Sequence, residues 1–283
     1  MVQRITINPD QLDSEETSIL LSSEQAHYLT RVLRLKEGNR FIVQDGQGSQ
    51  WLAEIAQQSN LTQSLEAKIL ETLPAVSPLS PSLRLIAAVP KGSGFDTVIR
   101  QATELGVTHI HPVTTARTLV KPGANKVARW RRIAAEASEQ SERVTVPKIS
   151  APVPLQACLD ALKQDRATDE DSLKFICAAR MSNQAADDCR SRDNTPQENT
   201  SKNRNNNHLL ARLLFQKQHF SSSEQLPNIT IAIGPEGGWT TEEITVAISY
   251  DYEVVSLGPV ILRAVTAPIT ALSLVTAARE LLI

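Results

Sequence analysis

The chain has 283 residues, 41% hydrophobic and 21% charged, with a formal net charge of -2, a balance that predicts a globular protein of two domains and excludes a uniformly basic chain. Charge is nevertheless uneven: between Arg84 and Lys148 eleven Lys or Arg face five Asp or Glu, which suits an anionic partner and equally a solvated face. Cys158, Cys177 and Cys189 are odd in number and lack a C-x-x-C pair, so neither a disulfide framework nor a zinc site is expected.

In chain order, residues 1–72 read as a small β-rich module. SSEQAHYLTRVLRLKEGN predicts its one helix, with Ala26, Leu29, Val32 and Leu33 at helical spacing, a Ser22 to Gln25 capping box and a stop at Gly38. RFIVQDGQGSQWLAEI and SLEAKILETL supply strands. The opening MVQRITINPDQLDSEE has no apolar signal region, and no window reaches the roughly 18 apolar residues of a spanning helix; a soluble, cytoplasmic protein without a membrane partner is the expectation. Pro74, Pro78 and Pro81 mark residues 73–82 as an extended linker.

From residue 83 to 283 the pattern becomes strand, helix, strand, helix. LRLIAAV, VTHIHPV, VTVPKIS, KFICAA, ITIAIG and YEVVSLG are the strands. GFDTVIRQATELG, NKVARWRRIAAEASEQS, PLQACLDAL, TTEEITVAISY and TAPITALSLVTAARELL are the helices. This alternation predicts an α/β fold with a parallel sheet. The final helix, apolar on nearly every face, should be buried or form a subunit interface. Residues 182–207, Asn-rich and nearly free of large apolar groups, read as a disordered insertion.

Two strand ends carry the chemistry. Gly234, Pro235, Glu236, Gly237 and Gly238 follow ITIAI and precede a helix that Thr240 and Glu243 can cap. Neither a Walker loop nor a dinucleotide fingerprint is present, and a crevice outside the carboxyl ends of parallel strands is where α/β folds hold ligands. SLGPVILRAVTAPITAL repeats the arrangement after YEVVSLG, with Thr266 at an N-cap position and Pro268 in the first turn. If the two strands were neighbours, both loops would share one rim, and Arg263 there would touch an anion or a partner chain.

Lys91 lies between a strand and a helix N-terminus, a site favourable to phosphate, while Glu104 sits where the helix dipole disfavours a carboxylate. Arg129, Arg132, Glu136, Glu139, Gln140 and Arg143 fall near one helical face, which a salt-bridged solvent face explains as well as a site does. His109 and His111 share a strand face, but no third ligand is suggested nearby and no metal is expected.

With those residues assembled, the chain resembles the 16S ribosomal RNA uridine-N3 methyltransferases of the SPOUT, or α/β-knot, class. The matching stretches are HYLTRVLRL, PKGSGFDTVIRQATELGV, RWRRIAAEASEQSER, IGPEGGWTTEE and LGPVILRAVTA, in that order. The resemblance implies a PUA-like RNA-binding β-barrel at residues 1–72 and, at residues 83–283, a trefoil-knotted, mostly parallel sheet with helices on both faces. Periodicity alone would not foresee a knot.

The resemblance also implies S-adenosylmethionine held by Ile233, Gly234, Pro235, Glu236, Gly237 and Gly238 on one side. Leu257, Gly258, Ile261, Leu262, Arg263 and Thr266 hold it on the other, within a homodimer acting on 16S ribosomal RNA of the small subunit. Arg263, Glu139 and Arg143 are its catalytic candidates, and Arg31, Arg34 and Lys91 its RNA contacts. One departure is evident: where the family usually reads LGPRILRTETA, this chain has Val260, Ala264 and Val265, so the carboxylate expected at position 265 is missing. Two other activities fit the same residues. One is a knotted methyltransferase acting on ribose oxygen or transfer RNA; the other is a non-catalytic RNA-binding assembly factor.

Overall fold

Strict alternation along QWLAEI, where Trp51, Ala53 and Ile55 are buried and their neighbours half-buried, makes this stretch a strand with one face on a core. The computed structural model describes residues 2–56, 65–77, 81–118, 122–164, 172–178, 207–219 and 227–280. These divide into two units, Met1–Leu79 with Arg132–Val146, and Ser80–Arg131 with Pro147–Ile283.

In the first unit, β1 (Arg4–Thr6), β2 (Ser18–Leu20), β3 (Arg40–Gln44), β4 (Gln50–Ile55) and β5 (Glu66–Leu73) form one sheet in the order β1-β3-β4-β5-β2. Only β1 and β3 run parallel. The sheet encloses Ile5, Ile19, Leu29, Phe41, Val43, Trp51 and Ala67. The predicted helix forms in two pieces. Helix α1 (Ser23–His27) carries the Ser22 to Gln25 capping box and continues as a π-helix over Tyr28–Val32.

That helix ends at Val32, six residues before Gly38. Arg34 takes φ 57° and Leu35 N–H bonds Leu29 O at 2.9 Å, a left-handed C-terminal closure that turns Leu33 and Leu35 onto the core. Arg31 and Arg34 are exposed. Strands β1 and β2, too short for a periodicity signal, were not foreseen.

Residues 132–146, distant in sequence, belong to this unit because their polar groups complete it. Thr6 N–H donates to Glu139 Oε1 at 2.6 Å, Gln44 Nε2 donates to Arg143 O at 2.9 Å, and Val146 N–H donates to Gly46 O at 2.8 Å. Buried Gln44 thereby interrupts the apolar alternation of β3 for a reason.

The second unit is built on parallel strands throughout. These are β6 (Leu83–Ala88), β7 (His109–Thr114), β8 (Lys148–Ile149), β9 (Val153–Pro154), β10 (Leu173–Cys177), β11 (Ile229–Ile233) and β12 (Glu253–Val255). The order is β12-β10-β11-β6-β7-β8, with β9 also paired to β7. Every residue of β6 and β11 is buried, as strands covered on both faces must be. On one face Ile86, Ala88, Ile176 and Ala232 join α4 (Leu155–Gln164) and α6 (Thr241–Ser249). Elsewhere α2 (Gly94–Glu104) packs with α7 (Thr266–Glu280), and α7 also meets β11.

Phe95, Val98, Ile99 and Ala102 of α2 are buried as their spacing predicts, and Phe95 meets Trp130 of α3 (Ala124–Gln140) edge to face, with centroids 4.6 Å apart. Helix α5 (Leu209–His219) was not foreseen. Helix α7 corrects the reading of an all-round apolar helix: Pro268, Ala271, Leu272, Val275 and Ala278 form one buried stripe, while Thr266, Ser273 and Ala277 are exposed. These exposed positions are small or hydroxyl-bearing residues, which water tolerates. Residues 182–206 of the expected insertion lie outside the described residues, as do residues 78–80 of the expected linker. No helix among the described residues is long and apolar enough to cross a membrane.

Candidate functional site

Parallel strands end on one side, so the segments after β6, β7, β10, β11 and β12 emerge at a common rim. Strands β11 and β12 are not neighbours as supposed. Strand β10 lies between them, and its end forms the floor between the two glycine-containing loops.

The first wall is residues 234–239. Gly238 N–H bonds Pro235 O at 2.8 Å to make the turn, with Gly238 at φ 70°. Trp239 is buried with 7% exposure, and its Nε1–H donates to Cys177 O at 3.1 Å, fastening the loop to β10. A Cβ on Gly234 would stand 3.2 Å from three atoms of that indole, so glycine is what lets the ring lie there.

Two neighbouring segments hold the same loop. Lys91 N–H donates to Glu236 Oε1 at 3.3 Å, so exposed Glu236 is taken up in joining the β6 and β11 loops. After β7, Arg117 Nη1 donates to Gly237 O at 2.5 Å and to Trp239 O at 3.3 Å. Ala116 N–H donates to Glu243 Oε1 at 2.8 Å, and the other oxygen of Glu243 accepts Thr240 N–H at 2.9 Å within the expected capping box. Arg117 and Ala116 escaped the sequence reading. Their position just after a strand neighbouring β6 was the available signal.

The second wall is residues 257–265. Ser256 Oγ accepts Gly258 N–H at 3.1 Å and Gly258 sits at φ 125°. Val260 and Ile261 are 67% and 61% exposed, Leu262 is half-buried and Arg263 is exposed. Arg263 O accepts the N–H groups of Thr266 and Ala267, both at 2.9 Å. Thr266 is thus the first helical residue rather than the cap. Ala264 is buried, and Val265 touches the start of α2 so closely that a Cβ on Gly94 would stand 2.8 Å from Val265 Cγ2.

Glu139 and Arg143 belong to the first unit, with Thr6 and Gln44 as partners. Burial is the leading cause raising the Glu139 carboxyl above its ordinary range, with the Thr6 bonds acting the other way. Arg143 is drawn down to about 10 by burial. Arg129 pairs with Asp96 at 2.9 Å and Arg132 with Glu136 at 3.6 Å, while Glu104 is exposed. His109 and His111 stack with centroids 6.2 Å apart, and Ser150 Oγ lies 3.2 Å from His111 Nδ1. Burial foremost, then His109 and Arg84, lower His111 to about 4, and no group of three metal-ligating residues occurs among the described residues.

The space at the rim suits a ligand read by main chain. A Cβ at Gly238 or Gly258 would meet nothing within 4 Å, so both glycines present bare peptide to the open rim, beside the apolar side chains of Val260 and Ile261.

This parallel sheet, with its two glycine-containing loops at the carboxyl rim, lies in an RNA methyltransferase domain. The family model of that description matches residues 77–276, and the RNA methyltransferase PUA domain matches residues 21–60. More particularly, the chain belongs to the ribosomal RNA small subunit methyltransferase E family. It is 38% identical to such a protein of Synechocystis sp. over 281 residues, covering 99% of this chain and 79% of that one. It is 27% identical to another of Bacillus subtilis, covering 95% and 93%. The crystal structure of a ribosomal RNA small subunit methyltransferase E from Neisseria gonorrhoeae bound to S-adenosyl methionine aligns with TM-score 0.71 at 25% identity, over 99% of this chain and 98% of that one.

Proposed function

We propose that the protein transfers a methyl group from S-adenosylmethionine to N3 of a uridine in 16S ribosomal RNA, in the cytoplasm and as a homodimer. The observation that carries this reading is the pair of main-chain walls, residues 234–238 and 257–266, on either side of the β10 end. When bound, S-adenosylmethionine supplies an electrophilic methyl group. The relatives' names and the bound ligand of the Neisseria structure support both cofactor and RNA substrate. Exposed Val260 and Ile261 are suited to being covered by a second copy.

Uridine N3 is a weakly acidic imide and must lose its proton to attack. This chain's residues assist by holding positive charge beside the developing anion, and exposed Arg263 on the second wall is the group suited to that task. Val265 offers no carboxylate and packs on Gly94 instead. Glu139 already accepts the Thr6 amide, which makes it a structural tie before it is a base. The remaining acceleration comes from orienting two bound reactants.

Arg31 and Arg34, exposed on the first unit, and Lys91 on the second are the phosphate contacts. Replacing Arg31 and Arg34 with Ala should weaken RNA binding and reduce its salt dependence while leaving cofactor affinity unchanged; equal retention of RNA in a filter assay would refute the assignment.

A knotted chain is part of the same proposal. After edge strand β12 the chain returns past β10 so that α7 meets β11 and α2, with Thr276 Oγ1 on Leu105 O and Arg279 Nη2 on Ser82 O. Pulling the unfolded chain taut from both ends should leave it shorter than its full contour, and a full-length extension would exclude the knot. For the activity, nucleosides from 16S ribosomal RNA of a strain lacking the gene should have lost 3-methyluridine and regain it on complementation. Loss of a ribose-methylated or transfer-RNA nucleoside instead would reassign the target.

A further inference from the structure

The geometry points to Arg117 as a positioning residue for the cofactor, acting through the glycine loop; this rests on the proposed S-adenosylmethionine site. Its guanidinium spans two carbonyls of that loop, Gly237 O at 2.5 Å and Trp239 O at 3.3 Å, and its stem lies against Gly237, where a Cβ would stand 3.1 Å from Arg117 Cδ. The two N–H groups of one nitrogen, Nη1, thus hold two carbonyls on either side of Gly238, the residue whose φ of 70° makes the loop turn.

The segment that carries Arg117 is itself rigid. Thr115 N–H donates to Thr118 Oγ1 at 3.0 Å, Thr118 N–H donates to Thr115 O at 3.1 Å, and the two hydroxyls are 2.9 Å apart. Ala116 N–H ties the same turn to Glu243 at 2.8 Å. The turn after β7 is therefore a brace, fastened at one point to the first turn of α6 and at two points to the loop. Glycine-rich main chain has the most conformational freedom to lose on ordering. A loop with two adjacent glycines, Gly237 and Gly238, would lose it on each binding event unless something outside held the bound shape beforehand. Arg117 does so from the edge, leaving the peptide groups themselves for the ligand.

Calorimetric titration of S-adenosylmethionine into the full chain tests this, with Arg117→Ala, Arg117→Lys and, as a control, exposed Arg100→Ala. Arg117→Ala should weaken binding about tenfold, the scale of hydrogen bonds made by a charged group, and raise KM for the cofactor more than it lowers kcat. Lysine, whose strongly hydrated ammonium sits on a flexible stem without the planar group that orients Nη1, should recover only part of the loss, and sub-denaturing guanidinium should restore binding to the alanine variant. Arg100→Ala should bind as the parent does.

Unchanged affinity of Arg117→Ala would overturn the proposal, as would a loss that appears equally in Arg100→Ala. The amide of Gly238 should also exchange hydrogen faster in Arg117→Ala without any ligand, and unchanged exchange overturns the brace. That readout separates the two claims: a parent protein that binds no S-adenosylmethionine refutes the cofactor site, while exchange still judges the brace.

Discussion

The two loops at the rim start alike, each a strand followed within three residues by Gly-Pro, and are held in opposite ways. Residues 234–239 are fastened from three directions, by Lys91 N–H, Arg117 and Trp239 on β10, and the Ala116 to Glu243 bond ties the Arg117 turn to the helix that follows. Residues 257–265 rest on the short Ser256 to Gly258 turn and the Val265 contact with Gly94, and they leave Val260 and Ile261 largely in water. A ligand between them would meet one wall that is already shaped and another that can close on it. Preorganisation lowers the ordering cost on the first side, and adaptability on the second lets an apolar surface be covered only when the ligand or a second copy arrives.

The sharpest way to break this contrast is Trp239→Ala, which removes both the packing against Gly234 and the bond to Cys177 O. A stability loss of about 3–5 kcal/mol is expected in denaturant unfolding, together with loss of cofactor binding. Gly94→Ala comes next. Its methyl meets Val265 Cγ2, so overpacking of about 1–3 kcal/mol is expected, and the double variant with Val265→Ala should recover most of it. A non-additive cycle identifies the contact; simple addition would mean that the second loop is not seated there.

Glu243→Ala deletes the capping box and the Ala116 tie. A cost of about 1 kcal/mol should appear in the thermal midpoint, with a modest rise in KM for the cofactor. Smallest in stability is the pair Val260→Ser and Ile261→Ser, within about 0.5 kcal/mol because both side chains are exposed. Sedimentation should nevertheless show weaker self-association, and an unchanged dimer would remove these residues from any interface.

Local signals foretold these walls unevenly. Thr240 and Glu243 announced their capping box by spacing alone, as did Ser22 and Gln25, because a cap is written within four residues. Strands β6, β7, β10 and β11 were readable from their apolar runs, and α2 from its stripe of Phe95, Val98, Ile99 and Ala102. What stayed hidden depends on neighbours in space. That β10 separates β11 from β12 is a matter of strand order, which no single strand's composition encodes. Arg117 looked like any exposed arginine until Gly237 and Trp239 were found beside it. Glu139 pointed outward as a candidate base because its partner, the amide of Thr6, lies 133 residues away in sequence. The end of the first helix was misjudged because Arg34, rather than a glycine, adopts the left-handed closure.

Strand β10, interposed between the two walls, also works as a gauge. Neighbouring strands keep a nearly constant separation of about 4.8 Å, so one intervening strand holds the roots of the two loops roughly 10 Å apart whatever their side chains do. That width is fixed by backbone hydrogen bonds between β12, β10 and β11. Evolution can therefore exchange residues such as Val260, Ala264 and Val265 on the far wall while the calibre of the slot stays constant.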